Sequence, residues 1–241
     1  YSVANYIAAC EGDDFWICEN KLQNQFDALS NSESDLCFTY ALKLYGNNTI
    51  EPYECNKSKQ RLYPLGDIIR LGGAYVPTVS MMMSRSVFDS LPDWFQSAPV
   101  GDEFICILSS LRGPAICLPL VTAAYRVDAV GSWSANMKCR SSEKIQENLL
   151  KMIRYLDYTK TLNGVDSLDV DYRKASFYLL ACEEALDEMD VCAFRDYLQN
   201  SMILYPGHST KQSLYFKLRY FPMIVRWIRY LKDNVIKRYF I

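Results

Sequence analysis

The fold is decided by the stretch Tyr6-Ile7-Ala8-Ala9-Cys10-Glu11-Gly12-Asp13-Asp14-Phe15-Trp16. Its apolar first half predicts a short buried strand, and the acidic residues after it predict a turn at the end of that strand. Glu11 and Asp13 stand two positions apart, so an extended backbone would point both carboxylates in one direction. Carboxylate oxygens are hard ligands for a divalent cation, and Gly12 lets the chain bend closely. The alternative is an ordinary acidic surface turn.

Alternating patterns on the C-terminal side of this stretch predict an α/β arrangement. Helical spacing of Leu22, Phe26 and Leu29 predicts a helix from Glu19 to Leu29. Beyond it we expect strands at Asp35–Tyr45, Ala74–Ser84, Ala115–Leu118 and Thr122–Val127, helices at Pro64–Leu71 and Phe104–Leu111, and an exposed loop at Gly46–Gln60. The α/β pattern ends near Trp133.

The pattern changes to helices alone from Ser141 onward. Helices are predicted at Ser142–Lys160, Asp169–Met189, Val191–Leu204 and Lys211–Tyr239. We therefore expect two domains, an α/β domain over residues 1–140 and a helical region over residues 141–241.

Residue counts exclude several classes of function. His208 is the only histidine among 241 residues, which excludes multi-histidine metal sites and histidine-activated nucleophiles. The nine cysteines contain no Cys-x-x-Cys pair of the kind that binds zinc, and reduced thiols are typical of the cytoplasm. No apolar run reaches the roughly 18 residues that span a bilayer. We expect a cytoplasmic protein in which carboxylates carry any catalysis.

The charge is unevenly distributed along the chain. The net charge is only −2, but residues 211–241 contain eight Lys or Arg and a single acidic residue. Because this basic tail also contains Tyr, Phe, Trp, Leu and Ile, Leu214–Ile241 is typical of a helix that lies on an anionic membrane surface, on the cytoplasmic face. The alternative is a helix packed on the protein with a solvated basic face. Nucleic acid is not an expected partner, because the acidic remainder of the chain would repel it.

Further motifs accompany the acidic turn in a fixed order. They are Lys21-Leu22-Gln23-Asn24-Gln25, Pro77-Thr78-Val79-Ser80-Met81-Met82-Met83-Ser84-Arg85, Leu91-Pro92-Asp93-Trp94-Phe95, Ala98-Pro99-Val100-Gly101-Asp102, Ala124-Tyr125-Arg126-Val127 and Gly131-Ser132-Trp133-Ser134. With this order and spacing, residues 1–135 resemble glycosyltransferase family 2, and in particular transferases that build bacterial surface polysaccharides. The resemblance implies a GT-A fold, which is a Rossmann-like mixed sheet.

The resemblance also implies a set of site residues. Glu11 and Asp13 would hold Mn²⁺ or Mg²⁺ against the diphosphate of a nucleotide-sugar donor, and Asp102 would be the catalytic base of an inverting transfer. The alternative for Asp102 is the N-cap of helix 104–111. Residues expected to contact substrate are Asp14, Trp94, Glu103, Arg126 and Trp133. Arg126 is alternatively a buried ion-pair residue, and the two tryptophans are alternatively packing residues. Asp128 replaces a histidine of the family, and could still ligate a cation.

Two expectations concern the whole protein. The Gln-x-x-Arg-Trp motif of processive synthases does not follow Trp133, so the resemblance implies addition of a single sugar to a glycan or lipid-linked acceptor. The family's fold begins with about three strands that hold the nucleotide, and the sequence opens just before the acidic cluster, so we expect a fragment of a longer polypeptide. The rival interpretation is a degenerate, non-catalytic transferase that serves as a protein- or membrane-interaction module.

Overall fold

The computed structural model describes residues 4–53, 60–129 and 141–231, and its fold is of the mixed α/β class expected from the sequence. The strands are β1 (Tyr6–Ala8), β2 (Phe15–Trp16), β3 (Leu36–Leu44), β4 (Ile50–Tyr53), β5 (Arg61–Tyr63), β6 (Met82–Ser84) and β7 (Ala115–Arg126). The helices are α1 (Lys21–Ser30), α2 (Leu65–Leu71), α3 (Arg85–Asp89), α4 (Gly101–Leu108), α5 (Ser142–Thr159), α6 (Ser167–Asp187), α7 (Val191–Leu204), α8 (Thr210–Lys217) and α9 (Pro222–Leu231).

The seven strands form one mixed sheet. Its main order is β1-β6-β3-β7-β2, with β4 paired to β3 and β5 paired to β7. Of the strand pairs in the described residues, β3 with β7 is parallel and the others are antiparallel. Because alternate side chains of a strand face opposite ways, Cys37 packs with Leu29 of α1 while the neighbouring Phe38 packs edge-on against the ring of Tyr75, in the segment after α2. The sheet is thus covered on both faces at its centre.

Several boundaries differ from those the sequence predicts. The strand expected at Ala74–Ser84 is two 3₁₀ turns, Gly73–Tyr75 and Thr78–Ser80, followed by the short β6. Pro77 lies between the turns, and a proline cannot donate a ladder hydrogen bond. The two strands expected at residues 115–118 and 122–127 form the single strand β7, whose pairing with β3 shifts register on either side of Tyr40.

The chain divides into two compact units. The first comprises Tyr1–Cys139 and Lys160–Asp169, and the second comprises Arg140–Thr159 and Val170–Ile241. The second unit is helical, with a core of Leu179, Cys182, Ala185, Leu186, Phe194, Leu198, Tyr215 and Val225. Across the described part of the chain, no helix combines the length and apolar character that spanning a bilayer requires.

The basic tail is not the single helix that its composition predicts. Within the described residues it forms α8 and α9, which are separated at Leu218–Phe221. Pro222 begins α9, because a proline fits the first turn of a helix but interrupts the hydrogen bonds of a continuing one. The basic tail therefore contains two short helices, and the break between them allows each helix to expose a different side.

Candidate functional site: an acidic turn beside the start of α4

The acidic residues after β1 form a tight turn. The backbone N–H of Asp14 donates to the carbonyl oxygen of Glu11 at 3.1 Å, which brings the chain back on itself over Gly12 and Asp13. One carboxylate oxygen from each of Glu11, Asp13 and Asp14 lies within 4.8 Å of the other two. The extended backbone assumed from the sequence is therefore wrong, and its replacement by a turn is what adds Asp14 to the cluster.

Asp14 is the buried member of the cluster. Asp14 is only 8% exposed, and its Oδ1 accepts a hydrogen bond from the backbone N–H of Arg126 at 2.9 Å. Its Oδ2 is buried and has no hydrogen-bond partner. A buried carboxylate oxygen without a partner is unfavourable, whereas an ordinary surface turn keeps its carboxylates hydrated. Three hard oxygen donors with one unsatisfied buried atom fit a small divalent cation such as Mn²⁺ or Mg²⁺.

The clustered negative charges perturb one another. Burial raises the pKa of Glu11 above its ordinary value, and the charges of Asp14, Asp13 and Asp102 raise it further. Burial also raises the pKa of Asp14, an effect that the hydrogen bond from Arg126 opposes and the charge of Asp13 reinforces. The turn is therefore a place where a cation would relieve electrostatic repulsion.

Arg126, at the end of β7, contacts the acidic turn and so links it to the sheet. Its Nη1 donates to the carbonyl oxygen of Asp13 at 2.7 Å, and its guanidinium lies 4.8 Å from the ring centroid of Phe15. The residue is exposed, so it is not the buried ion-pair residue that was the sequence alternative. A guanidinium has five N–H groups, of which the Asp13 carbonyl takes one.

Asp102 lies in the first turn of α4 and close enough to the acidic turn to raise the pKa of Glu11. The N-cap of this helix is Val100, so Asp102 is not the cap that the sequence alternative assumed. Its Oδ1 instead accepts from the backbone N–H of Glu103 at 2.6 Å. The structure thus brings a fourth carboxylate into the electrostatic environment of the turn.

Glu103 has a packing role. It is buried, and its Oε2 accepts from the backbone N–H of Gly73 at 2.9 Å. This hydrogen bond ties α4 to the 3₁₀ turn that follows α2, and so fixes the position of the neighbouring Asp102. Contact of Glu103 with substrate stays a prediction.

Trp94, Asp128 and Trp133 are the remaining residues that the sequence connects with the site. Trp94 is half-buried, and its ring lies edge-on to that of Phe104, two residues after Asp102, with centroids 5.4 Å apart. Asp128 is not in the carboxylate cluster of the described residues, and its backbone has a φ of 58°. The pKa of Tyr45 is raised mainly by its hydrogen bond to Glu51 and by burial, and the charge of Asp128 makes a smaller contribution. Trp133 lies outside the described residues.

A buried polar group beside the turn was not expected from the sequence. Lys21 is only 1% exposed, and its Nζ donates to Gln25 Oε1 at 2.7 Å and lies 4.6 Å from the ring centroid of Trp16. Burial lowers the pKa of Lys21 to about 8. Gln25 in turn donates to the carbonyl oxygens of Cys37 and Ser80. This network joins α1 to Trp16 of β2 and to the backbone at Cys37 and Ser80.

The site can therefore present three convergent carboxylates, an exposed guanidinium and a nearby aspartate on a helix start. That combination suits chemistry on a substrate whose phosphates bind through a cation and whose reacting hydroxyl needs a proton acceptor. Comparison with known proteins adds no independent identification: no protein-family model matches the chain, and no curated protein matches it in sequence.

Proposed function

We propose that the protein is an inverting, metal-dependent glycosyltransferase of the GT-A fold, which moves a single sugar from a nucleotide-sugar donor to a glycan or lipid-linked acceptor. One observation carries the proposal: Glu11, Asp13 and Asp14 converge within 4.8 Å, and Asp14 Oδ2 is buried there without a partner. This supports a cation site at the position that the sequence resemblance assigns to the donor diphosphate.

Each residue of the site has its own role in the proposed reaction. Glu11, Asp13 and Asp14 would hold Mn²⁺ or Mg²⁺, which would supply positive charge for the diphosphate leaving group. Arg126 adds N–H donors for phosphate oxygens on the open side of the turn. Asp102, oriented by the Glu103 N–H, accepts the proton of the acceptor hydroxyl as that hydroxyl attacks the sugar. Trp94 offers a ring face for a sugar.

The same proposal places the protein in the cytoplasm. The seven cysteines within the described residues are all free, namely Cys10, Cys18, Cys37, Cys106, Cys117, Cys182 and Cys192. Free thiols in such number are typical of a reducing compartment. A cytoplasmic location also gives the site access to nucleotide-sugars.

Binding of Mn²⁺ to the full chain tests the cation site. We expect one site, measured by the loss of the electron paramagnetic resonance signal of free Mn²⁺, and at least a tenfold weaker affinity in Asp13→Asn and in Asp14→Asn. Glu33→Gln removes the same charge from an exposed acidic residue of the same unit and should bind as the wild type does. UDP or GDP should then bind only with the metal present.

Two results would contradict the proposal. If Asp13→Asn retains the affinity of the Glu33→Gln control, the turn is an ordinary acidic surface turn. If Mn²⁺ binds but promotes binding of neither UDP nor GDP, the rival interaction module is favoured over the enzyme.

A further inference from the structure

Helix α9 turns its apolar side away from the protein. Val225 is fully buried, whereas Met223 and Trp227 are 59% and 61% exposed, and Ile224 and Tyr230 are exposed as well. At about 100° per residue, Met223 and Trp227 each lie about 160° around the helix from Val225. A helix that is stabilised only by packing on its own protein has the reverse arrangement, with apolar residues inside.

The inner side of α9 carries Arg229 as well as the buried Val225, and the guanidinium of Arg229 is satisfied there. Arg229 is half-buried, and its Nη1 donates to Asp187 Oδ1 at 2.8 Å and to the carbonyl oxygen of Glu183 at 3.0 Å. Lys211 of α8 pairs with Glu183 as well, at 3.1 Å. Glu183 and Asp187 of α6 are thus already paired with Lys211 and Arg229.

Aromatic residues and cations continue the apolar side toward α8. Tyr220 and Phe221 are exposed just before α9, and the guanidinium of Arg219 lies 4.6 Å from the ring centroid of Tyr220. Lys217 and Arg226 are exposed, and the described residues give neither of them an ion pair. The α9 outer face is defined here as Tyr220, Phe221, Met223, Ile224, Trp227 and Tyr230.

We propose that the α9 outer face lies in the interfacial region of an anionic lipid bilayer. Trp and Tyr are the residues that favour the level of the lipid headgroups, and Met, Ile and Phe add apolar area that leaves water. From Lys211 to Lys232 the sequence has six Lys or Arg and no acidic residue, which complements an anionic headgroup layer. This inference goes beyond the proposed function and does not depend on it.

Co-sedimentation of the full chain with vesicles tests this proposal. The probe is phosphatidylcholine vesicles with and without about one third phosphatidylglycerol, at about 50 mM and about 500 mM salt. We expect binding to the anionic vesicles at low salt and weaker binding at high salt. Met223→Gln/Trp227→Gln should reduce partitioning by about tenfold or more, because it removes two side chains that enter the apolar layer.

Matched variants separate the outer face from general surface effects. Ile203→Gln changes an apolar residue on α7 that is 67% exposed, and should bind vesicles as the wild type does. Lys217→Gln/Arg226→Gln should lose the preference for anionic vesicles while leaving the apolar contact. All these positions are exposed, so circular dichroism should confirm that each variant keeps its helices.

Three results would overturn the proposal. The first is that the wild-type protein does not bind anionic vesicles at low salt. The second is that Met223→Gln/Trp227→Gln and Ile203→Gln lose binding equally. The third is that the wild-type protein binds neutral and anionic vesicles equally. A dimer in sedimentation velocity that Met223→Gln/Trp227→Gln abolishes, with no vesicle binding, would assign the face to a second copy of the chain instead.

Discussion

Asp102 is held by a hydrogen bond that an amide can also make. Its Oδ1 accepts from the Glu103 N–H at 2.6 Å, and the oxygen of an asparagine could accept the same bond. We therefore expect Asp102→Asn to keep its fold and its Mn²⁺-dependent affinity for UDP or GDP but to lose about 10²- to 10⁴-fold in turnover, because the proton acceptor is gone. Turnover is measured as release of nucleoside diphosphate from nucleotide-sugars.

The matched control for this change is Asp93→Asn. Asp93 also lies in the first turn of a short helix, the 3₁₀ turn Asp93–Ser97, and is exposed. It should leave turnover within about twofold of the wild type, as expected of a surface substitution. Equal losses in the two variants, or wild-type turnover in Asp102→Asn, would remove the role of base from Asp102.

The acidic cluster also shows how far single residues can be predicted from sequence. The strand, the turn and the pair Glu11 and Asp13 follow from composition and alternation. The third carboxylate does not, because alternation assumes an extended backbone, and the hydrogen bond from Asp14 N–H to the Glu11 carbonyl closes a turn instead. The contact of Arg126 with Asp13 joins residues more than a hundred positions apart, a pairing that local spacing does not contain.

At the scale of elements, the position of α4 depends on a close approach to Gly73. A Cβ added at Gly73 would lie 2.7 Å from both the backbone nitrogen and the Cα of Glu103, and 3.1 Å from Asp102 Oδ1. Backbone atoms cannot move aside as a flexible side chain can, so α4 would have to shift away from the 3₁₀ turn. This glycine is required for the approach rather than for its φ angle.

We expect Gly73→Ala to lower the free energy of unfolding by about 1–3 kcal/mol, the usual effect of overpacking a well-filled interior. Gly101→Ala is the matched control, because a Cβ there meets nothing within 4 Å and the residue begins the same helix. That change should be neutral or stabilise by less than about 1 kcal/mol. Urea unfolding monitored by circular dichroism gives both values, and equal midpoints for the two variants would show that α4 does not depend on this contact.

Element types were more predictable than the faces they bury. The helix predicted at Glu19–Leu29 forms as α1, but Leu22 and Phe26 are exposed and Lys21 and Gln25 are buried with Leu29. Apolar spacing indicates the wrong side because Gln25 supplies hydrogen bonds that the interior needs, to the carbonyl oxygens of Cys37 and Ser80. Likewise, the loop expected at residues 46–60 contains β4, which pairs antiparallel with the second half of β3 although its side chains at residues 50–52 are exposed.

For the whole molecule, the sequence predicts two parts of different composition, and charge separates them as well. The structure adds two facts that composition does not contain. Residues 160–169 belong with the first compact unit, and the basic tail is interrupted before Pro222. The first depends on contacts between segments distant in sequence, which periodicity within a window does not report. The second follows from Pro222, which the apolar spacing of the tail does not take into account.

The only histidine of the chain lies where it can make stability depend on pH. His208 follows α7, and its Nε2 is 2.7 Å from the hydroxyl oxygen of Ser176 on α6, while its ring lies 4.3 Å from that of Tyr172. Its Nδ1 is buried without a partner, and its backbone N–H donates to Gln212 on α8. Burial lowers the pKa of His208 below its ordinary value, and the charges of Lys211 and Arg173 lower it further.

This shift fixes the sign of the pH dependence. Because the folded state holds a proton on His208 less tightly than the unfolded state, unfolding takes up protons as the pH falls through the unfolded pKa of about 6.5. The contribution to stability is complete above that pH, and is lost as the pH falls toward the lower pKa of the folded state. Between about pH 8 and about pH 5.5, the unfolding temperature of the wild type should therefore fall more than that of His208→Gln, whose amide stays neutral and can still bond Ser176. Thermal unfolding followed by circular dichroism measures the difference. Parallel pH profiles of the unfolding temperature for the two proteins would show that His208 does not couple protonation to folding. A steeper profile for the variant would mean that the pKa of His208 is shifted upward instead.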